Sequence, residues 1–205
     1  MPDYHLPLHP NNTYHIFSRA VGSEKLFRES ENYHFFLKKY CQYINPVADT
    51  YCYCLLPNHF HLLIRIKNHD SIKKHFDEVK KDKVFDPNLT SDFIMERFSN
   101  WLNSYTKSFN KVYKRKGALF MDYLRRVEVN NSSQFTDTIF YIHKNPVHHG
   151  ICKKIADWKN SSFHILLNDS DTFLLRDEVI NWFGNKEEFL KFHQRPIEVK
   201  PSPNL

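Results

Sequence analysis

His59 and His61 are the residues whose type and spacing most directly suggest chemistry. They lie in the segment YCYCLLPNHFHLLIRI, which runs from Tyr51 to Ile66. The stretch after Pro57 has strand composition, and side chains on a strand alternate between faces. His59 and His61 therefore point the same way, with Phe60 on the opposite face. Two neutral imidazoles on one face can donate lone pairs to one cation and make half of a divalent-metal site. A surface pair on a hairpin is the plainer reading of any His-x-His. Here, however, the pair opens a strand directly after Pro57-Asn58, between the apolar flanks Leu55-Leu56 and Leu62-Leu63-Ile64.

Tyr141, in the segment FYIHKNPV from Phe140 to Val147, could supply the other half. If that segment is helical, Tyr141 and Asn145 are four apart and share a face. A phenol beside a two-histidine metal site suggests phosphoryl transfer through a tyrosine. A phenol is a weak nucleophile at neutral pH, its ordinary pKa being about 10. A divalent cation polarising the scissile phosphate would lower that barrier. Asn145 can offer a carboxamide oxygen as third ligand, which leaves positions open for phosphate oxygens and water. Such a mixed, harder donor set suits Mg²⁺ or Mn²⁺ better than structural Zn²⁺. The plainer readings are a core tyrosine with its hydroxyl satisfied and an asparagine that caps the helix before Pro146.

A basic tract follows a third line of chemistry: Lys107, Lys111, Lys114, Arg115, Lys116, Arg125 and Arg126, opposed between Lys107 and Arg126 only by Asp122. Phe109, Tyr113, Phe120 and Tyr123 are interleaved with it. Cations that track phosphates and rings that stack on bases are the composition of a single-strand groove, although a solvated helix end describes any one of these residues equally well. Arg19, His143, His148 and His149 could join the same surface. The chain as a whole is basic, with 29 Lys+Arg against 23 Asp+Glu among 205 residues, which suits a polyanionic partner. Only 4 glycines occur, and no phosphate-cradling glycine pattern is present. Cys41, Cys52, Cys54 and Cys152 form no C-x-x-C pair and are expected as reduced thiols. No apolar run approaches membrane-spanning length and the N-terminus lacks a secretory pattern, so the expected location is the cytoplasm.

The elements that must position these residues read in order. A strand over Thr13–Ala20 precedes a helix between Phe27 and Tyr43, and strands 48–56 and 59–66 form a hairpin. Lys67 to Asp92 reads as a loop or short helix. A long helix from about Asp92 to Lys114 carries the stripe Phe93, Ile94, Phe98, Trp101, Leu102, Tyr105, Phe109 and Val112. A fourth strand ends at Val129. A helix from about Ser133 to Lys144 follows, with Asn145-Pro146 expected to end it. This order implies an α+β fold, a ferredoxin-like antiparallel sheet with helices packed on one face. Residues 1–165 read as the catalytic domain. Residues 166–205 read as a small helical C-terminal extension split at Gly184, with an irregular tail after Gln194.

Three segments together resemble a known family. LLPNHFHLLI (Leu55–Ile64) resembles the HUH motif of single-tyrosine transposases. GALF (Gly117–Phe120) and YIHKNPVHHGI (Tyr141–Ile151) resemble later signatures of the REP-associated tyrosine transposase branch, and agreement runs in order from about Tyr14 to Phe163. The resemblance implies a ferredoxin-like fold with the histidine pair on a central strand and a divalent metal held by His59, His61 and, by position, Asn145. It implies Tyr141 as the nucleophile that attacks a DNA phosphate, forms a 5′-phosphotyrosine link and releases a 3′-hydroxyl. Its substrates would be single-stranded DNA with hairpins, and either a monomer or a homodimer would act. The glutamine that is third ligand in the sister branch is replaced here by the shorter Asn145, as fits the REP-associated branch. Two other readings compete with this nicking-and-joining transposase: a non-catalytic module that binds structured nucleic acid, and a metal-dependent hydrolase of small phosphoesters in which Tyr141 only positions substrate. Only the first uses both the basic surface and the His–Tyr constellation.

Overall fold

The computed structural model describes residues 4–121 and 124–196, and the structural statements below concern those residues. Asp122 and Tyr123 of the basic tract, and the tail from residue 197 onward, lie outside them. Four strands form one antiparallel sheet in the order β2-β3-β1-β4: β1 (Thr13–Arg19), β2 (Ala48–Leu56), β3 (His59–Ile66) and β4 (Arg125–Val129). The β2–β3 turn at Pro57-Asn58 is anchored to the chain after β1, because Ala20 N–H donates to the Asn58 carbonyl at 2.7 Å and Phe27 N–H to the Pro57 carbonyl at 3.1 Å. Helices α1 (Ser30–Tyr43), α2 (His69–Val79), α3 (Thr90–Val112) and α4 (Ser132–His148) follow their strands, and α5 (Phe163–Leu167), α6 (Arg176–Phe183) and α7 (Lys186–Gln194) close the chain. The α+β class and the antiparallel sheet are as expected.

The layering is not. Phe60, between the two histidines, packs against Phe36 of α1 and Trp101 of α3. His59 and His61, on the other face, meet α4. The sheet is thus sandwiched rather than covered on one face. The physical reason is that a strand apolar at nearly every position needs both faces covered. YCYCLL has that pattern, and every residue from Tyr51 to Leu56 is buried.

Helix α4 also corrects its expected end. Asn145-Pro146 does not terminate it, because Pro146 sits inside the last turn. The helix stops where Gly150 takes a left-handed φ of +66°. Gly150 N–H donates to the Val147 carbonyl at 3.0 Å and Ile151 N–H to the Pro146 carbonyl at 2.9 Å, the paired bonds of a Schellman cap. Asn145 is consequently an internal helical residue whose side chain is not spent on capping.

The outer strands are covered by backbone from elsewhere in the chain. Along β2, Leu55 N–H donates to the Asn160 carbonyl at 2.9 Å, Ser162 N–H to Tyr53 at 2.9 Å and Leu175 N–H to Thr50 at 2.9 Å. On β4, Arg126 N–H donates to the Tyr4 carbonyl at 3.2 Å. The C-terminal helices share the main core through Val179 and Phe189.

A buried polar chain fastens α7 to α4 and β2. The Ser162 hydroxyl lies 2.8 Å from His143 Nε2, His143 Nδ1 lies 2.9 Å from His193 Nε2, and His193 Nδ1 lies 2.8 Å from the Phe189 carbonyl. Two neutral rings satisfy all three contacts in one direction, serine donating to His143, His143 to His193 and His193 to the carbonyl. Burial pushes the His193 imidazole down to about 4, partly offset by its bond to the Phe189 carbonyl and aided by Arg195, while burial and the charges of His193 and His164 hold His143 well below its ordinary value. The unfolded chain takes up a proton near 6.5 that the folded chain refuses. The stabilisation is therefore complete above about pH 6.5 and is lost as pH falls toward 4. We expect stability against urea to fall by up to about 3 kcal/mol on account of His193 between pH 7 and pH 4, at about 1.4 kcal/mol per pH unit, with His143 acting in the same direction. His193→Phe should flatten that slope, and an unchanged slope would show that His193 is not the sensor.

Candidate active site

Register brings the site together. On β1, Arg19 lies opposite His59 and Phe17 opposite His61, while His15 pairs with Leu63. These side chains share the face that α4 covers. Across that face the Tyr141 ring stands edge-on to His61, with centroids 5.8 Å apart, and to His15 at 5.9 Å. One helical turn on, Asn145 Oδ1 lies 3.0 Å from His59 Nε2. The two histidine rings are 5.3 Å apart and mutually perpendicular. Tyr141 is half-buried, whereas His59, His61 and Asn145 are buried. The structure thus sets Tyr141 beside His61 and Asn145 beside His59, with the two histidines adjacent on one face of the sheet.

Each imidazole is held at Nδ1. His59 Nδ1 lies 2.8 Å from Asn58 Oδ1, and His61 Nδ1 lies 2.9 Å from His15 Nε2. Burial pushes His59 down to about 4, partly offset by its contact with Asn145. Burial and the neighbouring His15, His59 and His149 hold His61 well below its ordinary value. Both rings are therefore neutral near pH 7, the form that carries a lone pair. A neutral His59 has one N–H to give. When Nδ1–H donates to Asn58, its Nε2 lone pair faces the Asn145 carboxamide oxygen, two acceptors in contact. His61 Nε2 and Asn145 Nδ2 are buried without any hydrogen-bond partner. A cation among these atoms would relieve the two facing acceptors and take up the His61 Nε2 lone pair, while the Asn145 Nδ2 donor would still need a partner of its own. Among the described residues no group of three His, Cys, Asp or Glu side chains is arranged to hold a metal ion. The donor set offered here, two imidazoles and an amide, is weaker than such a cage.

The basic residues divide. Arg19 is half-buried on the site face, its Nε–H directed at the Met121 sulfur at 3.0 Å. Arg125, in register with Phe17, lies 5.4 Å from the centroid of the Tyr4 ring. Lys107, Lys111, Lys114 and Lys116 are exposed on α3 and the loop after it. That loop returns to β1 through an Ala20–Phe120 bridge, at the Arg19 end of the sheet. Arg126 does not belong to this surface. It is buried, and its guanidinium clasps the carbonyls of His5, Leu6 and Leu124. Arg115 is likewise a brace, paired with Glu24 at 2.9 Å and with the Gly117 and Ala118 carbonyls. Phe109 and Phe120 are core residues, and Tyr113 sits beneath Arg28 with its hydroxyl on Asn32, so these rings form no stacking groove. Rings at three- and four-residue spacing are core stripes far more often than exposed platforms.

Two neighbours were not legible as site residues. Asn58 reads as a turn residue. His15 reads as a lone strand histidine until register sets it beside His61. His149, expected only as an addition to the basic surface, has its ring 4.8 Å from His59, a place it reaches because α4 continues past Pro146.

No family model matches the chain. It is similar to a curated protein of Haemophilus influenzae whose name places it among the REP-associated tyrosine transposases, with 24% identity over 119 residues, or 57% of this chain. The chain spans 59% of that relative's length. In fold it is similar to the solved structure of a REP-associated tyrosine transposase bound to a REP hairpin. That match has a TM-score of 0.57 and 16% identity and covers 82% of this chain and 86% of the other. Both comparisons agree with the resemblance carried by the three motifs.

Proposed function

We propose that this chain, similar as it is to REP-associated tyrosine transposases, nicks and joins single-stranded DNA that carries a hairpin, through a covalent tyrosine intermediate. The observation that carries the reading is the meeting of one helix face with one strand. Tyr141 and Asn145, a turn apart on α4, lie against His61 and His59 on β3, with His61 Nε2 unpartnered and His59 Nε2 facing the Asn145 oxygen. His59, His61 and Asn145 would hold Mg²⁺ or Mn²⁺, which when bound supplies charge neutralisation at the scissile phosphate. Tyr141 Oη attacks the phosphorus, an O–P bond to the phenol forms and the P–O3′ bond breaks. The phenolic proton ends on the released 3′-hydroxyl. The phosphodiester energy is kept in the phosphotyrosine, so a second 3′-hydroxyl can reverse the step without ATP. Arg19, on the same face and in register with His59, and Arg125 beyond it would neutralise the strand's phosphates, with Lys107, Lys111, Lys114 and Lys116 extending the field.

The test uses the full chain with hairpin-tailed oligonucleotides labelled at either end, with Mg²⁺ or Mn²⁺ and a chelator control. A 3′-labelled strand should become attached to protein in a form that survives denaturation. A 5′-labelled strand should be released with a free 3′-hydroxyl. Chelator should abolish both. Hairpin binding without any attachment, in either metal, would leave a binding module and remove the transesterase.

A further inference from the structure

We propose that His15 is a positioning residue that fixes His61 in the tautomer able to bind a cation. The proposal rests on the metal-dependent reading above and deepens it. His15 Nε2 and His61 Nδ1 lie 2.9 Å apart, close enough for one hydrogen bond. Two neutral imidazoles can share that bond in two ways. If His15 donates, the remaining proton of His61 sits on Nε2, a buried atom with no acceptor in reach. That arrangement orphans an N–H and also blocks the atom from ligation. If His61 donates through Nδ1–H, its Nε2 carries the lone pair on the side of the ring that faces the site. His15 is only half-buried, so it can keep its own Nδ1–H hydrated.

Packing fixes the geometry of this bond. The His15 and His61 rings lie edge to edge, with centroids 5.1 Å apart and planes within 27°, the arrangement an in-plane N–H···N bond requires. Phe17 also lies nearly parallel to His61 at 5.6 Å and 24°. His61 is in this way held against rotation about its side-chain bonds. Asn58 Oδ1 stands to His59 as His15 stands to His61, which makes the device symmetrical across the pair. Asn58 is supplied by the turn, whereas His15 comes from a different strand and depends on β1–β3 register.

The test measures Mn²⁺ binding by the full chain, following free Mn²⁺ by electron paramagnetic resonance. His61→Ala should abolish specific binding. His15→Phe should keep an aromatic ring at this position but lose the acceptor, and weaken Mn²⁺ by about 10- to 100-fold. His15→Gln, which restores an acceptor oxygen, should recover most of that loss, as a purely structural role would not require. In the unaltered protein, long-range ¹H–¹⁵N spectra should show His61 protonated at Nδ1. His15→Phe binding Mn²⁺ as tightly as the unaltered protein, or His61 protonated at Nε2, would overturn the proposal with the metal site intact. Failure of the unaltered protein to bind Mn²⁺ would instead take the metal reading down, and the proposal with it.

Discussion

Tyr141→Phe should eliminate the covalent protein–DNA product while leaving hairpin binding at its original strength. Loss of a nucleophile that acts through its own atom typically costs roughly 10³-fold or more, since no neighbouring group supplies the missing bond. The substitution removes one oxygen. The phenyl ring keeps its edge contacts with His61 and His15, both made by the ring rather than the hydroxyl. Fold and DNA affinity are thereby separated from chemistry. The decisive measurement is denaturing electrophoresis of a 3′-labelled hairpin after incubation with Mn²⁺, beside a binding isotherm under the same conditions. If the Phe variant still forms the adduct, the nucleophile lies elsewhere. If it turns over a small phosphoester undiminished, Tyr141 has no covalent role and the hydrolase reading gains.

The second large effect is on stability. Trp101→Ala should cost about 3–5 kcal/mol, the range for deleting a large aromatic side chain from a packed core. Trp101 is fully buried. Its ring lies 4.5 Å from Phe36, 5.1 Å from Tyr40 and 5.3 Å from Phe60, and its indole N–H donates to the Phe36 carbonyl at 3.2 Å. The variant loses these contacts and the additional indole bond to a carbonyl that α1 already engages. Phe60 sits between the two site histidines on the reverse side of β3, so the cavity opens directly beneath the strand that aims them. Urea unfolding followed by circular dichroism reads the effect. A loss under about 1 kcal/mol would mean that the site collapses around the gap, contrary to the packing described.

Much of this architecture is legible in the chain because its local signals agree with one another. The β2–β3 hairpin announces itself by two strand-like runs on either side of the Pro57-Asn58 turn signal, and α3 by an apolar stripe most of which is buried between Phe93 and Phe109. The His59–His61 pair follows from strand period alone, and Tyr141–Asn145 from helix period alone. What was not legible is long-range or competitive. His15 depends on strand register, which no local pattern encodes. Pro146 is a strong local stop signal, yet a proline in the last turn forgoes only one helical bond, and the left-handed glycine four residues on sets the true end. Arg126 and Arg115 have the composition of a phosphate-binding surface. Their guanidinium groups are instead consumed by backbone carbonyls and Glu24. Charge counts cannot distinguish these uses.

The backbone bonds that chain segments make to β2 and β4 have a bearing on how copies of this protein meet. A bare outer strand is a template on which a foreign extended segment can grow. Here Asn160, Ser162 and Leu175 already occupy positions along β2, and Tyr4 occupies one on β4. An incoming strand must first peel these away, together with the Trp158 indole that donates to the Leu55 carbonyl at 3.1 Å. Runaway sheet growth is thereby discouraged even though the sheet is rich in β-branched and aromatic residues.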